Sequence, residues 1–295
     1  MDQVSLKSLD ARIRLFDSSP TRKLVTSPYR LGSSRLLMAL SRWRAKSIAV
    51  KASTFWGEEM TVLFPDGVSA ALYQYGFFET GLTRLLVKYL KPGMTFFDVG
   101  AHFGYFTLLA SHLVGDRGQV HSFEPTPGTF QVLRGNTIHR ANVRLNPLAV
   151  YSGEATLTFT NYELCPSFNT MGRGNVPDAL KHRLQASEYQ VQATSLDQYV
   201  ASSGATPDLI KLDAEGAEVD IFKGMEHVMT TIRPMITLEV GDINADDVGK
   251  SRALVELFMS RGYQPWEYDP ATQAAAPHTL RDRYDFDNLL LLPSK

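Results

Sequence analysis

The sequence predicts an α/β fold in which a mostly parallel sheet of seven strands carries helices on both faces and the last strand is antiparallel. Two observations support this prediction. After Gly93, segments with strand and helix periodicity alternate along the chain, and such alternation produces right-handed crossovers between parallel strands. The run of four leucines at 289–292 follows the preceding strand without an intervening helix, which is typical of an antiparallel strand in a mixed sheet.

The core elements follow one another in short segments. We expect a helix at 79–90, because leucines recur there at helical spacing before Lys91, Pro92 and Gly93 end it. The strands are expected at 94–99, 119–124, 143–150, 208–213, 234–240, 263–268 and 285–292, and the helices between them at 104–114, 127–140, 216–230 and 247–261.

Residues 1–55 are predicted to form a basic helical extension, and residues 56–295 the main domain, with its core at 94–295. Eleven Lys and Arg stand against three Asp in residues 1–51. Pro20 and Pro28 should divide this segment into short helical pieces, with the main helix at 31–46. Two interpretations stay open, a contact with an acidic or lipid-linked partner and a cap packed on the main domain.

Two segments of the main domain lie outside the regular alternation. A hairpin is expected at 56–68, with its turn at Pro65, Asp66 and Gly67. Residues 151–200 form an insertion that should lie over the carboxyl ends of the strands, where open α/β sheets bind ligands. We interpret the insertion as a lid or a substrate-selecting segment, and a loop without a function is the alternative.

Composition narrows the classes of protein. The net charge of −1 and the pI near 6.7 argue against a protein that coats a polyanion, so we expect no nucleic-acid partner. The single cysteine, Cys165, excludes an intramolecular disulfide and a multi-cysteine metal site and fits the cytoplasm. No apolar run reaches the roughly 18 residues of a membrane span, and a homo-oligomer is left open.

A glycine-containing loop follows the first predicted core strand and precedes a helix. Gly100 and Gly104 let a ligand approach the backbone, and the helix N-terminus offers N–H groups to a carboxylate. A dinucleotide-binding loop would carry glycine where His102 and Tyr105 stand. The loop therefore disfavours a dehydrogenase, although it does not exclude one.

The acids around this loop indicate the kind of cofactor. Asp98 ends the strand and should face an ammonium group, whereas it would repel a pyrophosphate. S-Adenosylmethionine combines a carboxylate, an ammonium and a sulfonium, and Phe103 or Tyr105 could lie near its cationic end. Glu124, twenty residues after Gly104, should accept hydrogen bonds from the ribose hydroxyls, as in other adenosine-binding folds.

Further acids follow the later strands. Asp213 and Glu239 end two neighbouring predicted strands, and Asp242 comes shortly after. These oxygens are compatible with a divalent cation, but the pattern does not assign a metal site. Glu215 and Glu218 stand at a helix start, where acids are often caps.

Four stretches together resemble the FkbM family of S-adenosylmethionine-dependent methyltransferases. They are residues 97–107, 123–125, 194–197 and 210–218, and Glu79 also falls where the family tends to carry an acid. The resemblance implies a class I methyltransferase, Rossmann-like fold and O-methylation of a sugar or a secondary metabolite. The residues then expected to bind the cofactor are Glu79, Asp98, Gly100, Ala101, His102, Phe103, Gly104, Glu124, Pro125, Asn146, Ala149 and Val150.

Two adjacent residues depart from the family pattern, which commonly has Asn where this chain has His102 and Ile or another aliphatic residue where it has Phe103. The imidazole could act as a base near the methyl group, or it could simply pack against the cofactor. An alcohol is a weak nucleophile, so a base that takes its proton should accelerate methyl transfer. We rank Asp213 first for this role, Glu239 second and His102 third.

The acceptor is expected to be a small molecule or a glycan with a free hydroxyl. An NAD(P)-dependent oxidoreductase is the first alternative, because it would share the strand, the loop and Glu124. A binding protein that has kept the fold and lost the chemistry is the second.

Overall fold

The structure is a computed structural model that describes residues 1–162, 170–171, 186–214, 216–242 and 249–294. Cys165 and Glu215 lie outside the described residues, as do residues 163–169 and 172–185 of the predicted insertion. None of the helices in these ranges is long and apolar enough to cross a lipid bilayer.

The described elements alternate much as the sequence predicts. The helices are α1 (Gln3–Phe16), α2 (Pro20–Thr26), α3 (Pro28–Arg44), α4 (Gly67–Tyr75), α5 (Thr80–Tyr89), α6 (Tyr105–Val114), α7 (Pro127–Thr137), α8 (Leu196–Ser203), α9 (Glu218–Lys223) and α10 (Lys250–Ser260). The strands are β1 (Ile48–Ser53), β2 (Glu59–Phe64), β3 (Thr95–Val99), β4 (Gln119–Phe123), β5 (Val143–Asn146), β6 (Ala149–Val150), β7 (Ala155–Tyr162), β8 (Thr170–Met171), β9 (Ala186–Thr194), β10 (Leu209–Leu212), β11 (Met235–Val240), β12 (Tyr263–Asp269), β13 (Ala274–Pro277) and β14 (Asp287–Pro293).

The main sheet confirms the predicted α/β class. Its strand order is β13-β12-β14-β11-β10-β3-β4-β5. The strands β11, β10, β3, β4 and β5 pair in parallel, while β14 runs antiparallel between β11 and β12. The sequence prediction missed the eighth strand, β13, because its three alanines have little strand preference of their own.

Helices cover both faces of this sheet, as expected from its crossovers. One apolar core joins Phe97 and Ile210 of the sheet to Ile221 of α9 and Phe258 of α10. The other joins Phe96 to α5, α6 and the β1–β2 hairpin. The carboxyl ends of β3, β4, β10 and β11 consequently meet at one edge, where the candidate site lies.

The hairpin predicted at 56–68 is present, but the prediction placed its turn at the wrong residues. β1 pairs with β2 and the connection runs through residues 54–58, so β2 is the second strand and not the first. Asp66 begins α4 instead, and its carboxylate accepts a hydrogen bond from the Ser69 N–H at 3.1 Å. An Asp before a helical segment serves as an N-cap as readily as a turn residue.

Two other predicted elements are divided in the structure. The strand expected at 143–150 breaks at Pro147, which has no N–H for a sheet, and β6 joins the small sheet β6-β9-β7-β8 formed by the insertion. The helix expected at 216–230 ends at Gly224, where a Cβ would lie 2.4 Å from the Tyr151 carbonyl oxygen. A π-helical turn at Val228–Ile232 follows.

The N-terminal helices lie on the main domain. Pro20 and Pro28 stand at the starts of α2 and α3, which confirms the predicted division of the segment. Arg12 of α1 donates hydrogen bonds to the carbonyl oxygens of Ser53 and Tyr75. On α3, the Ser34 hydroxyl accepts from the Gln74 amide at 2.7 Å. The boundary at residue 55 stays a prediction.

Candidate active site

A cavity of about 420 Å³ lies at the carboxyl ends of β3, β4, β10 and β11. Its size is in the range of small-molecule sites. Most of the residues that the sequence singled out line it, namely Glu79, Gly100, Ala101, His102, Phe103, Glu124, Pro125, Ala149, Val150, Asp213 and Glu239. The described lining does not include Asp98, Gly104 or Asn146.

The loop between β3 and α6 forms one wall of the cavity. Gly100 has a φ of +76°, and a Cβ there would lie 1.8 Å from the Asp213 carbonyl oxygen. Any side chain at this position would therefore displace the end of β10. His102 also has a positive φ, of 50°, a conformation that glycine and asparagine adopt more readily.

Glu124 is fixed on this wall by the backbone. The His102 N–H donates to its Oε2 at 3.0 Å, and the Thr126 N–H donates to its Oε1 at 2.9 Å. Burial raises the pKa of Glu124, while His102 and the N–H donors oppose the increase. Since each carboxylate oxygen can accept more than one hydrogen bond, Glu124 can still accept two hydroxyl donors from a ligand.

Asp98 lies next to an ammonium of the protein itself, that of Lys211. Its side chain is completely buried behind the loop, where its Oδ2 accepts from the Thr107 hydroxyl at 2.6 Å. The cation that approaches its Oδ1 is Lys211 Nζ, at 3.5 Å. Asp98 therefore contributes to the support of the loop and does not line the cavity. Its contact with the cofactor stays a prediction.

Lys211 is the main residue that the sequence analysis missed. Its Nζ lies 2.9 Å from Asp213 Oδ2 and donates to the carbonyl oxygens of Gly100 and Val99 at 3.1 and 3.3 Å. Burial acts to lower the pKa of Lys211, but the charges of Asp213 and Asp98 outweigh it and the pKa is raised. A lysine inside the apolar strand β10 was the available signal, because a buried charge requires a partner.

Three acids line the cavity around this lysine. Burial tends to raise the pKa of Asp213, but Lys211 and a hydrogen bond from Glu239 hold it below its usual value. Burial and the charge of Asp213 raise the pKa of Glu79 to about 7, and its Oε2 accepts from the Asn288 amide at 3.2 Å.

Asp242 does not join these acids. Its two carboxylate oxygens accept from the backbone N–H groups of Ser251 at 3.1 Å and Tyr284 at 3.0 Å, so it ties α10 to the end of the sheet. Glu218 likewise accepts from the Ala214 N–H. Within the described ranges, no cluster of three or more His, Cys, Asp and Glu side chains could hold a metal ion.

Aromatic and aliphatic side chains complete the cavity, including Phe78, Tyr105, Phe106, Phe123, Leu157, Phe159 and Phe286. Leu157 and Phe159 belong to β7, so the insertion does border the cavity as its predicted position requires. Its action as a lid stays a prediction.

The cavity fits S-adenosylmethionine in the chemistry of its walls. The first turn of α6 offers N–H groups that have no partner within the helix, and such groups bind carboxylates. Tyr105 and Phe106 of that turn line the cavity. Glu124 is a carboxylate fixed by two backbone N–H groups, and carboxylates in this position suit the hydroxyls of a ribose. The aromatic side chains give the cavity an apolar surface.

Comparison with known proteins agrees with this geometry. The family described as "Methyltransferase FkbM domain" matches residues 98–265, more than half of the chain. The 31-O-demethyl-FK506 methyltransferase FkbM of Streptomyces tacrolimicus is 27% identical over 76% of this chain and 96% of its own. The hexuronic acid methyltransferase AglP of Haloferax volcanii is 26% identical over 58% of this chain and 66% of its own.

Among solved structures, a methyltransferase FkbM of Methylobacillus flagellatus aligns with 68% of this chain at 14% identity and a TM-score of 0.40, and this chain spans 43% of its length. The family match covers the glycine loop, Glu124, Lys211, Asp213 and Glu239. The chain therefore belongs to the FkbM family of methyltransferases.

Proposed function

We propose that this chain is an S-adenosylmethionine-dependent O-methyltransferase whose acceptor is a hydroxyl of a sugar, a glycan or a secondary metabolite. One observation carries the proposal. A single cavity joins the backbone-fixed carboxylate of Glu124 to Glu79, an acid whose pKa of about 7 suits proton transfer. Two relatives are named for the methylation of 31-O-demethyl-FK506 and of hexuronic acid, and these names support the acceptor class.

We assign cofactor binding to one end of the cavity, which we call the Glu124 end and which is formed by Glu124, the loop of Gly100 to Gly104 and the start of α6. Glu124 binds the ribose hydroxyls, and the loop of Gly100 to Gly104 with the start of α6 binds the amino-acid part. Ala149 and Val150, which line the cavity beside it, contact the adenine. When bound, S-adenosylmethionine supplies an electrophilic methyl group.

We assign removal of the proton from the acceptor hydroxyl to the other end of the cavity, which we call the Lys211 end and which contains Lys211, Glu79, Asp213 and Glu239. Glu79 replaces Asp213 as our first candidate for the base, because Lys211 holds Asp213 ionised and thereby lowers its basicity. Asp213 and Glu239 then position the acceptor hydroxyl by accepting or donating hydrogen bonds. The apolar side chains around them exclude water from the reacting oxygen.

The first test is isothermal titration with S-adenosylhomocysteine and, in parallel, with NADH. Wild type should bind S-adenosylhomocysteine with micromolar affinity, Glu124→Ala should lose that binding, and Glu59→Ala, an exposed acid on β2, should keep it. Binding of NADH alone would favour the oxidoreductase and end the proposal.

The second test concerns the acceptor atom. Purified protein with methyl-labelled S-adenosylmethionine is offered glycosides, hexuronic acids and hydroxylated metabolites, and each product is located by mass spectrometry and NMR. The proposal expects the label on an oxygen. A label on nitrogen or carbon would contradict O-methylation, and no turnover with any acceptor despite cofactor binding would favour a binding protein.

A further inference from the structure

The outward surface of α3 carries a stripe of apolar side chains. Tyr29, Leu36, Leu40 and Trp43 are 79, 59, 36 and 80% exposed. Their spacing of seven, four and three residues places all four within a narrow sector of the helix, at 3.6 residues per turn. Large apolar side chains grouped in this way on a surface mark an interaction site.

Cations flank the stripe on both sides. By the same helical spacing, Arg35 and Arg42 project on one side of it and Arg44 on the other, and all three are exposed. None of them forms an ion pair with a described residue, whereas the half-buried Arg252 and Arg261 on the main domain do.

The surrounding sequence has a single sign of charge. Residues 18–57 contain eight Lys and Arg and no Asp or Glu. This segment is therefore strongly cationic in a chain whose net charge is −1. A partner for this surface must be anionic where it meets the arginines and apolar where it meets the stripe.

The opposite side of α3 is fixed to the main domain, so the stripe cannot turn inward. The hydroxyl of Ser41, which is completely buried, donates to the Phe64 carbonyl oxygen at 2.8 Å, and Ser34 is bonded to Gln74 of α4. The stripe lies on the far side of the helix from both serines.

We propose that this face of α3 binds the surface of an anionic lipid bilayer, with the helix lying in the plane of the interface. Leucines and aromatic rings would enter the boundary between headgroups and acyl chains, where Trp and Tyr are favoured. The arginines extend from the flanks to the lipid phosphates. A second copy of the chain would bring the same cations against this face and is therefore the weaker candidate.

Co-sedimentation of the full chain with lipid vesicles tests the proposal. The protein should bind vesicles of phosphatidylcholine that contain about 30% phosphatidylglycerol. It should bind vesicles of pure phosphatidylcholine at least about tenfold more weakly. Raising the salt concentration to about 0.5 M should release much of the bound protein, because it screens the arginines.

Two charge variants make the test specific. Arg35→Gln/Arg42→Gln/Arg44→Gln should weaken binding to the anionic vesicles roughly a hundredfold, at about fivefold for each arginine. Arg117→Gln/Arg134→Gln/Arg144→Gln removes the same charge from exposed positions elsewhere and should bind nearly as wild type does. Circular dichroism and S-adenosylhomocysteine binding verify that both variants fold.

Trp43 provides a direct signal for insertion. Its fluorescence should shift to shorter wavelength on anionic vesicles, and Trp43→Phe should abolish the shift while binding persists. Equal loss of binding in both charge variants would overturn the proposal. So would a lack of vesicle binding combined with a dimer that Trp43→Ser converts to a monomer, since the face would then pair two copies.

Discussion

The Glu124 end and the Lys211 end of the cavity hold buried carboxylates in different ways. At the Glu124 end, two backbone N–H groups each donate to one oxygen of a single carboxylate. At the Lys211 end, one ammonium lies close to both Asp98 and Asp213, and Glu79 stands near them. The first end has fixed donors, whereas the second has more acids than cations.

This difference shows in the causes of the pKa shifts. At Glu124, the interactions after burial all favour the ionised form. At Glu79, the second cause is the negative charge of Asp213, which acts in the same direction as burial. A carboxylate fixed by the backbone suits binding, and one that titrates near neutral pH suits proton transfer. Substitutions at the two ends of the cavity test that division of labour.

The largest expected effect is that of Lys211→Met. It removes the cation between the buried Asp98 and the half-buried Asp213 and leaves both carboxylates without their partner, which should lower the free energy of unfolding by about 4 kcal/mol. Urea denaturation measures the change. Lys91→Met, at an exposed lysine, should change it by less than about 0.5 kcal/mol. If Lys211→Met cost as little as the control, the charge cluster would not depend on this ammonium.

Asp98→Asn added to Lys211→Met should recover part of the loss, since it removes one of the two uncompensated charges. A double variant as unstable as the single one would place the cost in lost packing of the lysine stem and not in electrostatics.

Lys211 also shows how much of the candidate site could be predicted from the sequence. The sequence predicted β10 as a buried strand, and the structure confirms this. It could not identify Asp98 as the partner of Lys211, because the two become direct neighbours only when β10 pairs with β3, and that pairing joins segments more than a hundred residues apart. Without the sheet order, Asp98 appeared free to bind a ligand.

The glycine loop could be predicted further because its geometry is local. Gly100, His102 and Glu124 lie between residues 100 and 124, and the consecutive elements β3, α6 and β4 bring them together when β3 pairs with β4. The prediction of an element failed where the same residue type is compatible with two different local structures. Asp66 is compatible both with a hairpin turn and with a helix N-cap. Pro147 indicates a break in the strand, but it does not indicate that β6 pairs in another sheet.

Glu79→Gln should have the second largest effect and tests the Lys211 end directly. It replaces the proposed base with an amide, so kcat should fall about a hundredfold. The dissociation constant of S-adenosylhomocysteine should change by less than about threefold, because the binding end is intact. Equal kcat for variant and wild type would remove Glu79 from proton transfer and return Asp213 to first place.

The pH profile distinguishes a base from a structural role at the same residue. Protonation removes the base, so kcat of wild type should decline as pH falls below about 7, the pKa of Glu79. Glu79→Gln should lack this limb. A variant that kept the limb would assign it to another group of the cavity.

Glu124→Gln should have a smaller effect with the opposite kinetic signature. The amide keeps the size of the carboxylate but presents one acceptor oxygen and two donors to the His102 and Thr126 N–H groups and the ribose. We expect the affinity for S-adenosylhomocysteine to fall about tenfold, measured by isothermal titration. The kcat at saturating cofactor should stay within about threefold of wild type. A large fall in kcat with unchanged affinity would reverse the roles of the two ends.

His102→Asn is expected to have the smallest effect and separates the backbone of the loop from its imidazole. His102 holds Glu124 through its main-chain N–H, and asparagine tolerates the positive φ that this residue adopts. Cofactor affinity and kcat should therefore both stay within about threefold of wild type. The matched variant His102→Val should bind the cofactor more weakly, since a β-branched residue disfavours that φ and would shift the N–H away from Glu124. If His102→Asn instead lost kcat about a hundredfold at unchanged affinity, as expected for a lost base, proton transfer would lie at the Glu124 end and the two ends would not be divided as proposed.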